Sequence, residues 1–102
     1  MKLSFLDRIY LLGMLPAEGD LTTLRIVREL KSELSFSEQE HSDFEINSDG
    51  KQIFWNNEKA VNKEVNIGPK AHTIISDILV KMEQDKQLKL DHLSLYEKFV
   101  GE

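Results

Sequence analysis

The sequence predicts an α+β fold: N-terminal helices, then a three-stranded antiparallel meander, then two C-terminal helices. Two observations predict it. Apolar residues recur at helical spacing near both ends of the chain, whereas the central stretch "FEINSDGKQIFWNN" alternates apolar and polar residues around Asp-Gly. With 102 residues, of which 40% are hydrophobic and 30% charged, the chain is typical of one soluble domain covering 1–102.

Three N-terminal helices are predicted from their caps. Ser4 is the expected N-cap of a helix over 5–14, with Asp7 three residues on, and Asp20 is the N-cap of the second helix. "SEQE" places Ser37 as the N-cap of a short third helix and Glu40 as its reciprocal partner. The stripes expected to face the core are Phe5, Ile9 and Leu12 in the first helix, and Leu24, Ile26, Val27, Leu30 and Leu34 in the second.

Two C-terminal helices follow from the same kinds of signal. "IGP" places Pro69 in the first turn of a helix, a position where its missing N–H costs nothing, and Asp91 is expected to open the last helix. The predicted core residues are Ile74, Ile75, Ile78, Leu79 and Met82 in the first of these helices, and Leu93, Tyr96, Phe99 and Val100 in the second.

The hairpin prediction rests on Asp49 and Gly50. Asp-Gly is favoured in two-residue type I′ turns, which need positive φ at both positions. This register places Ser48 opposite Lys51, Ile46 opposite Ile53 and Phe44 opposite Trp55 on a core face, with Glu45 opposite Phe54 and Asn47 opposite Gln52 on the other face. Phe54 is then an aromatic on a polar face, covered either by the loop over 56–63 or by a partner.

A third strand is expected from Val65 and Ile67 in "EVNI". It would return antiparallel beside residues 52–55 and complete the meander. The reason to expect it is that a lone two-stranded hairpin is only marginally stable in water.

The charge is unevenly distributed. The net charge of −5 equals the charge of residues 38–58, which we call the acidic band. A nucleic-acid binder would present a basic face, but the one compact basic group, Arg25, Arg28 and Lys31, is interleaved with acids and is read as a solvated helix face. No direct nucleic-acid binding is expected.

Catalytic and metal-binding patterns are incomplete. The absence of cysteine excludes disulfides and thiol nucleophiles. "EINSDG" matches part of a calcium loop at Asn47, Asp49 and Gly50, but Glu45 stands at its first position and Asn56 at its twelfth, where a bidentate Glu is needed. The three histidines are scattered, and no nucleotide or hydrolase motif occurs. We therefore expect no catalytic, cofactor or metal residues and no enzyme.

The location is predicted to be cytoplasmic. The opening segment has charged Asp7 and Arg8 where a secretion signal would be apolar, and no apolar run is long enough to span a membrane.

Three segments, "LLGMLPAEGDLTTLRIVRELKSEL", "IGPKAHTIISDILVKM" and "LSLYEKFV", resemble short uncharacterised proteins of tailed bacteriophages and prophages, in the same order. The segments show only helix-forming and turn-forming patterns and no catalytic or ligand-binding motif, so no residue roles are carried over. The resemblance implies a phage or prophage origin, work inside a bacterial host cell, and binding or assembly rather than catalysis.

The function predicted from these observations is non-enzymatic. The protein is expected to act through protein–protein contacts in an assembly or accessory role, with a homo-oligomer as one form. The alternative is a host-directed inhibitor whose acidic band engages the basic site of a nucleic-acid-handling partner. The predicted partner-binding residues are Glu38, Glu40, Asp43, Glu45, Asp49 and Phe54.

Overall fold

The fold combines helices with two small antiparallel sheets in a computed structural model that describes residues 1–101. The mixed α and β composition that the sequence predicts is therefore confirmed. In chain order the elements are β1 Lys2–Leu3, α1 Phe5–Met14, α2 Leu21–Leu34, α3 Glu38–Asp43, β2 Asn47–Ser48, β3 Ile53–Phe54, β4 Lys63–Glu64, α4 Pro69–Gln84, a 3₁₀ turn at Leu90–His92, and α5 Leu93–Phe99.

The helix starts follow the predicted caps. Ser4 and Asp7 form a reciprocal capping box, and so do Ser37 and Glu40. The carboxylate of Asp20 accepts the N–H of Thr23 at 2.8 Å, which satisfies a backbone donor that the first turn leaves free. Local side-chain chemistry thus determines where α1, α2 and α3 begin.

The last helix differs from its prediction. Asp91 lies in the 3₁₀ turn, where its carboxylate accepts the Tyr10 hydroxyl at 2.9 Å, and α5 begins only at Leu93. Leu95 is buried with Phe99, whereas Leu93 is 47% exposed. Val100, also predicted for the core, is 36% exposed. The contact between the turn and α1 joins residues 81 positions apart, and the spacing of apolar residues does not reveal it.

The buried face of α1 also differs from its prediction. Asp7 and Arg8 are buried, with 2% and 0% exposure, while Ile9 and Leu12 are only partly buried. Asp7 accepts the ammonium of Lys98 at 2.6 Å, which links α1 to α5. Burying a charge costs free energy unless it is paired, so these residues need long-range partners.

The three-stranded meander is not confirmed. β4 pairs with β1, with Lys2 opposite Glu64, and β2 pairs with β3. The N-terminal ammonium donates to Glu64 Oε1 at 2.8 Å, and the Val65 N–H donates to the Met1 carbonyl at 2.9 Å. The first residues of the chain, not the hairpin, therefore provide the edge beside which this segment lies.

The core lies among α1, α2, α4, α5 and the β1–β4 pair. It contains Leu3, Leu11, Leu15, Val27, Leu30, Leu34, Val65, Ala71, Ile75, Leu79, Leu95 and Phe99. Of the residues predicted for α4, Ile75 and Leu79 are buried, and Ile74, Ile78 and Met82 are partly buried. No helix within residues 1–101 combines the length and the apolar character that a membrane crossing requires.

Candidate functional site: an exposed hairpin arm

The hairpin begins with a sharp change of direction after α3. Phe44 has helical dihedrals and Glu45 has φ +55°, so these residues end the helix and do not form the strand that the sequence predicted for them. The N–H of Ile46 donates to the His41 carbonyl at 3.0 Å, and the N–H of Asn56 donates to the Phe44 carbonyl at 2.8 Å. These bonds fix the base of a hairpin arm, residues 46–55.

The register of the arm differs by two residues from the prediction. Asn47 faces Phe54 and Ser48 faces Ile53, whereas the expected partners of Phe54 and Ile53 were Glu45 and Ile46. A shift of two residues keeps the side chains of β2 and β3 on their predicted faces, because side chains alternate with period two. Within β2 and β3, Ser48 and Ile53 therefore share one face and Asn47 and Phe54 the other, as predicted, whereas the predicted pairs are wrong.

Asp49 causes this shift. Its carboxylate accepts the N–H groups of Lys51 and Gln52 at 2.9 and 2.8 Å, as in turns closed by an aspartate side chain. These two hydrogen bonds hold the pKa of Asp49 below its usual range, and the bond from Gln52 has the larger effect. Gly50 has φ +89° and Asp49 does not have positive φ, so the predicted type I′ turn at these two residues does not form.

Trp55 anchors the arm to the body of the protein. Its ring stacks on Phe5 at 4.6 Å between centroids, and Phe5 also contacts Phe36 at 4.8 Å and Phe44 edge-on at 6.2 Å. The indole Nε1 is buried and has no hydrogen-bond partner within residues 1–101. The aromatic cluster holds the arm at one end only.

Beyond Trp55 the arm is open to solvent. Every residue from 47 to 54 is exposed, including Ile53 at 43% and Phe54 at 50%. The prediction that Ile53 belongs to the core is wrong, because 43% of this residue is exposed and its cross-strand partner is the polar Ser48. Phe54 is exposed as an interface anchor would be, on the face that it shares with Asn47.

Ile53 is the candidate contact residue that sequence reasoning missed. Alternation predicted that it shares a face with Trp55. The missing information was how far the aromatic cluster reaches along that face, which depends on Phe5 and Phe36 in distant parts of the chain.

The acidic band divides into structural and free carboxylates. Glu40 accepts both Arg8 Nη1 at 2.6 Å and Arg8 Nη2 at 3.1 Å. Arg8 lowers the pKa of Glu40 to about 2, with a smaller contribution from the Ser37 N–H. The Arg8 guanidinium also lies over the Phe36 ring at 4.0 Å and donates to the Leu34 carbonyl at 3.1 Å. Glu40 therefore stabilises the fold and is not free for a partner.

Glu45 is also occupied. Its carboxylate accepts Asn56 Nδ2 at 2.8 Å and Lys59 Nζ at 3.2 Å, and these two partners lower its pKa. Glu38 and Asp43 are exposed on α3 without an ion pair in the part of the chain that the structure describes, although Asp43 accepts Gln39 Nε2 at 2.8 Å. The predicted partner-binding residues therefore divide into Glu40 and Glu45, which hold the structure, Asp49, which closes the tip, and Glu38, Asp43 and Phe54, which are available.

One Ser–His pair has the wrong proton direction for a nucleophile. Ser76 Oγ lies 3.3 Å from His72 Nδ1 and donates to the Phe99 carbonyl at 3.0 Å. A hydroxyl carries one proton, and here it points to the Phe99 carbonyl, which can only accept, and not to His72 as a general base would require. The pair links α4 to the end of α5.

Metal ligands are not grouped within residues 1–101: no three His, Asp or Glu side chains lie close enough together to hold an ion. A groove of about 650 Å³ lies between α2 and the start of α4. Its rim mixes Glu29 and Glu33 with Lys70 and shows no catalytic arrangement.

The chain was compared with protein-family models, with curated proteins and with solved structures, and none of the three gives a match.

Proposed function

We propose that this protein acts by binding another protein, in an assembly or accessory role, and that the hairpin arm is its contact surface. The observation that carries the proposal is the exposure of Ile53 and Phe54, adjacent large apolar residues on an arm held at its base by Trp55. Single exposed apolar residues are common on protein surfaces, but adjacent ones on an ordered projection are typical of contact sites.

The resemblance to short phage and prophage proteins supports an origin of that kind and work in the cytoplasm of a bacterial host. Proteins of this size that act by contact need no pocket or cofactor. A rigid base and exposed apolar side chains beside it are sufficient, because a few aromatic side chains carry most of the binding energy in an interface.

A binding experiment with a matched control tests the proposal. Tagged wild-type protein, Phe54→Ser and Leu21→Ser are incubated with extract of the bacterium that carries the gene, and retained proteins, including untagged copies of this chain, are quantified. Leu21 is 64% exposed on α2, far from the arm in sequence, and controls for lost apolar surface. We expect retention by wild type and Leu21→Ser and loss with Phe54→Ser. Equal retention by all three would overturn the proposal.

The second candidate is inhibition of a nucleic-acid-handling host protein through the acidic band. It is favoured by the free carboxylates of Glu38 and Asp43 on the exposed face of α3. The double variant Glu38→Gln with Asp43→Asn tests it, because it leaves Glu40 with Arg8. Binding that weakens steeply with salt and with this variant supports inhibition, since exposed charges are screened within about 10 Å at 0.1 M salt. Binding that is insensitive to both contradicts it.

A further inference from the structure

Among residues 1–101, no strand lies beside the outer edge of β3. The sequence predicted a third strand there, but β4 pairs with β1 instead. A two-stranded hairpin is marginal in water, and an unpaired edge is a template for another strand.

The backbone groups on this edge can be identified. The Asp49 N–H donates to the Gln52 carbonyl at 3.2 Å, so the backbone groups of Gln52 are directed toward β2. Because hydrogen-bonded and non-hydrogen-bonded pairs alternate along an antiparallel ladder, the backbone N–H and C=O of Phe54 are also directed toward β2. The backbone N–H and C=O of Ile53 and Trp55 are then directed away from β2, toward the outer edge. The Trp55 N–H donates to no group within residues 1–101.

We propose that a second copy of this chain pairs with the β3 edge, antiparallel and across a two-fold axis, to give a four-stranded sheet in the order β2–β3–β3–β2. This inference rests on the proposed function and names its partner. Ile53 of each copy pairs with Trp55 of the other, and the two pairs together make about four backbone hydrogen bonds. Phe54 then lies directly opposite Phe54 of the second copy.

Charge selects β3 over β2 as the paired edge. The same symmetric pairing through β2 would bring Glu45 and Asp49, which flank this strand, close to the same acids of the second copy, and like charges close together are destabilising. The outward N–H of Ile46 is also already bonded to His41. Along residues 51–57 the one charged residue is Lys51, which would face the uncharged Asn57.

The interface is short, so the dimer should be weak and concentration-dependent. Interfaces below about 1,200 Å² are typical of transient complexes. We expect a monomer on dilution and a dimer at high concentration.

Cysteine crosslinking tests the register, because the chain has no cysteine of its own. Phe54→Cys places two thiols at a non-hydrogen-bonded pair with Cα atoms about 4.5 Å apart, within disulfide range. Ile53→Cys places them roughly 9 Å apart by strand spacing, beyond that range. We expect Phe54→Cys to crosslink at least about tenfold faster than Ile53→Cys and Leu21→Cys. Equal rates, or faster crosslinking of Ile53→Cys, overturn the inference.

Sedimentation equilibrium tests the dimer without a cysteine. Phe54→Lys would place two ammonium groups face to face, and Leu21→Lys is the control with a similar loss of exposed apolar surface. We expect Phe54→Lys to raise the dimer dissociation constant at least about tenfold and Leu21→Lys to leave it unchanged. A wild type that stays monomeric, while Phe54→Ser still abolishes binding of a different protein, overturns this inference and leaves the proposed function standing. Retention of every partner by Phe54→Ser overturns both.

Discussion

Arg8 is a fully buried cation whose charge is balanced by a residue 32 positions away. Its guanidinium donates to Glu40 and to the carbonyls of Leu34 and Ser35, and it covers the Phe36 ring. This one side chain joins α1 to the end of α2 and the start of α3. At least one carboxylate of the acidic band, that of Glu40, therefore holds the fold together.

Glu40→Gln tests this assignment, with Glu38→Gln as its matched control on the same helix. Removing the carboxylate leaves the buried guanidinium without its counter-charge. We expect Glu40→Gln to lower the free energy of unfolding in urea by about 1–3 kcal/mol and Glu38→Gln to change it by less than about 0.5 kcal/mol. Equal effects would show that Glu40 is an ordinary surface residue.

The same pair predicts a pH dependence. The pKa of Glu40 falls from 4.5 to about 2 in the folded protein, chiefly because of the hydrogen bond from Arg8. A depressed folded-state pKa contributes stability above pH 4.5 that is lost as the pH falls toward 2. We expect the stability of wild type to fall more steeply across this window than that of Glu40→Gln, as measured by urea unfolding. Parallel curves would contradict the assignment.

Residue-scale features were predictable from sequence only where they are local. The caps at Ser4, Asp20 and Ser37 act over three residues, and all are confirmed. The burial of Asp7 and Arg8 was not predicted, because their partners Lys98 and Glu40 are distant in sequence. Nothing in the spacing of apolar residues indicates that a charge will be buried.

At the scale of the element, the adjacent aromatic residues Phe54 and Trp55 of the hairpin arm have different environments. Trp55 stacks on Phe5 inside the aromatic cluster, and Phe54 is half exposed on the other face. The faces were predictable from alternation. The turn was not, because the Asp49 carboxylate competes for the backbone N–H groups that define the register.

Trp55→Ala and Phe54→Ser should therefore differ in stability. Truncating Trp55 removes the stack that holds the arm, and we expect a loss of about 3 kcal/mol in the free energy of unfolding. Phe54→Ser should cost less than about 1 kcal/mol because half of its surface already faces water. Chemical denaturation followed by circular dichroism measures both. A larger loss for Phe54→Ser would mean that the two faces are exchanged.

At the scale of the whole molecule, the two ends of the chain are tied together. β1 pairs with β4, and the Lys98 ammonium donates to Asp7 at 2.6 Å and to the Lys2 carbonyl at 3.1 Å. These contacts bridge more than half of the sequence, so a reading of local segments could not find them. They also explain why the predicted third strand lies elsewhere.

Lys98→Met tests how much the contact between Lys98 and Asp7 contributes to stability. It leaves the nearly fully buried Asp7 carboxylate without its cation, and we expect a loss of about 1–3 kcal/mol in the free energy of unfolding. Lys81→Met, at an exposed position of α4, is the control and should change little. Urea unfolding monitored by circular dichroism measures both. A similar small effect for the two variants would show that Asp7 is stable without Lys98.

The most direct test of contact through the arm is a dilution series followed by the amide signals of uniformly ¹⁵N-labelled protein, from about 1 mM to about 20 µM, the range in which a weak dimer dissociates. We expect the amide signals of Ile53, Phe54 and Trp55 to shift with concentration while those of Leu21 and its neighbours on α2 stay fixed. Signals that do not move anywhere in the arm, or that move on α2 instead, would contradict pairing of two copies of this chain through the arm.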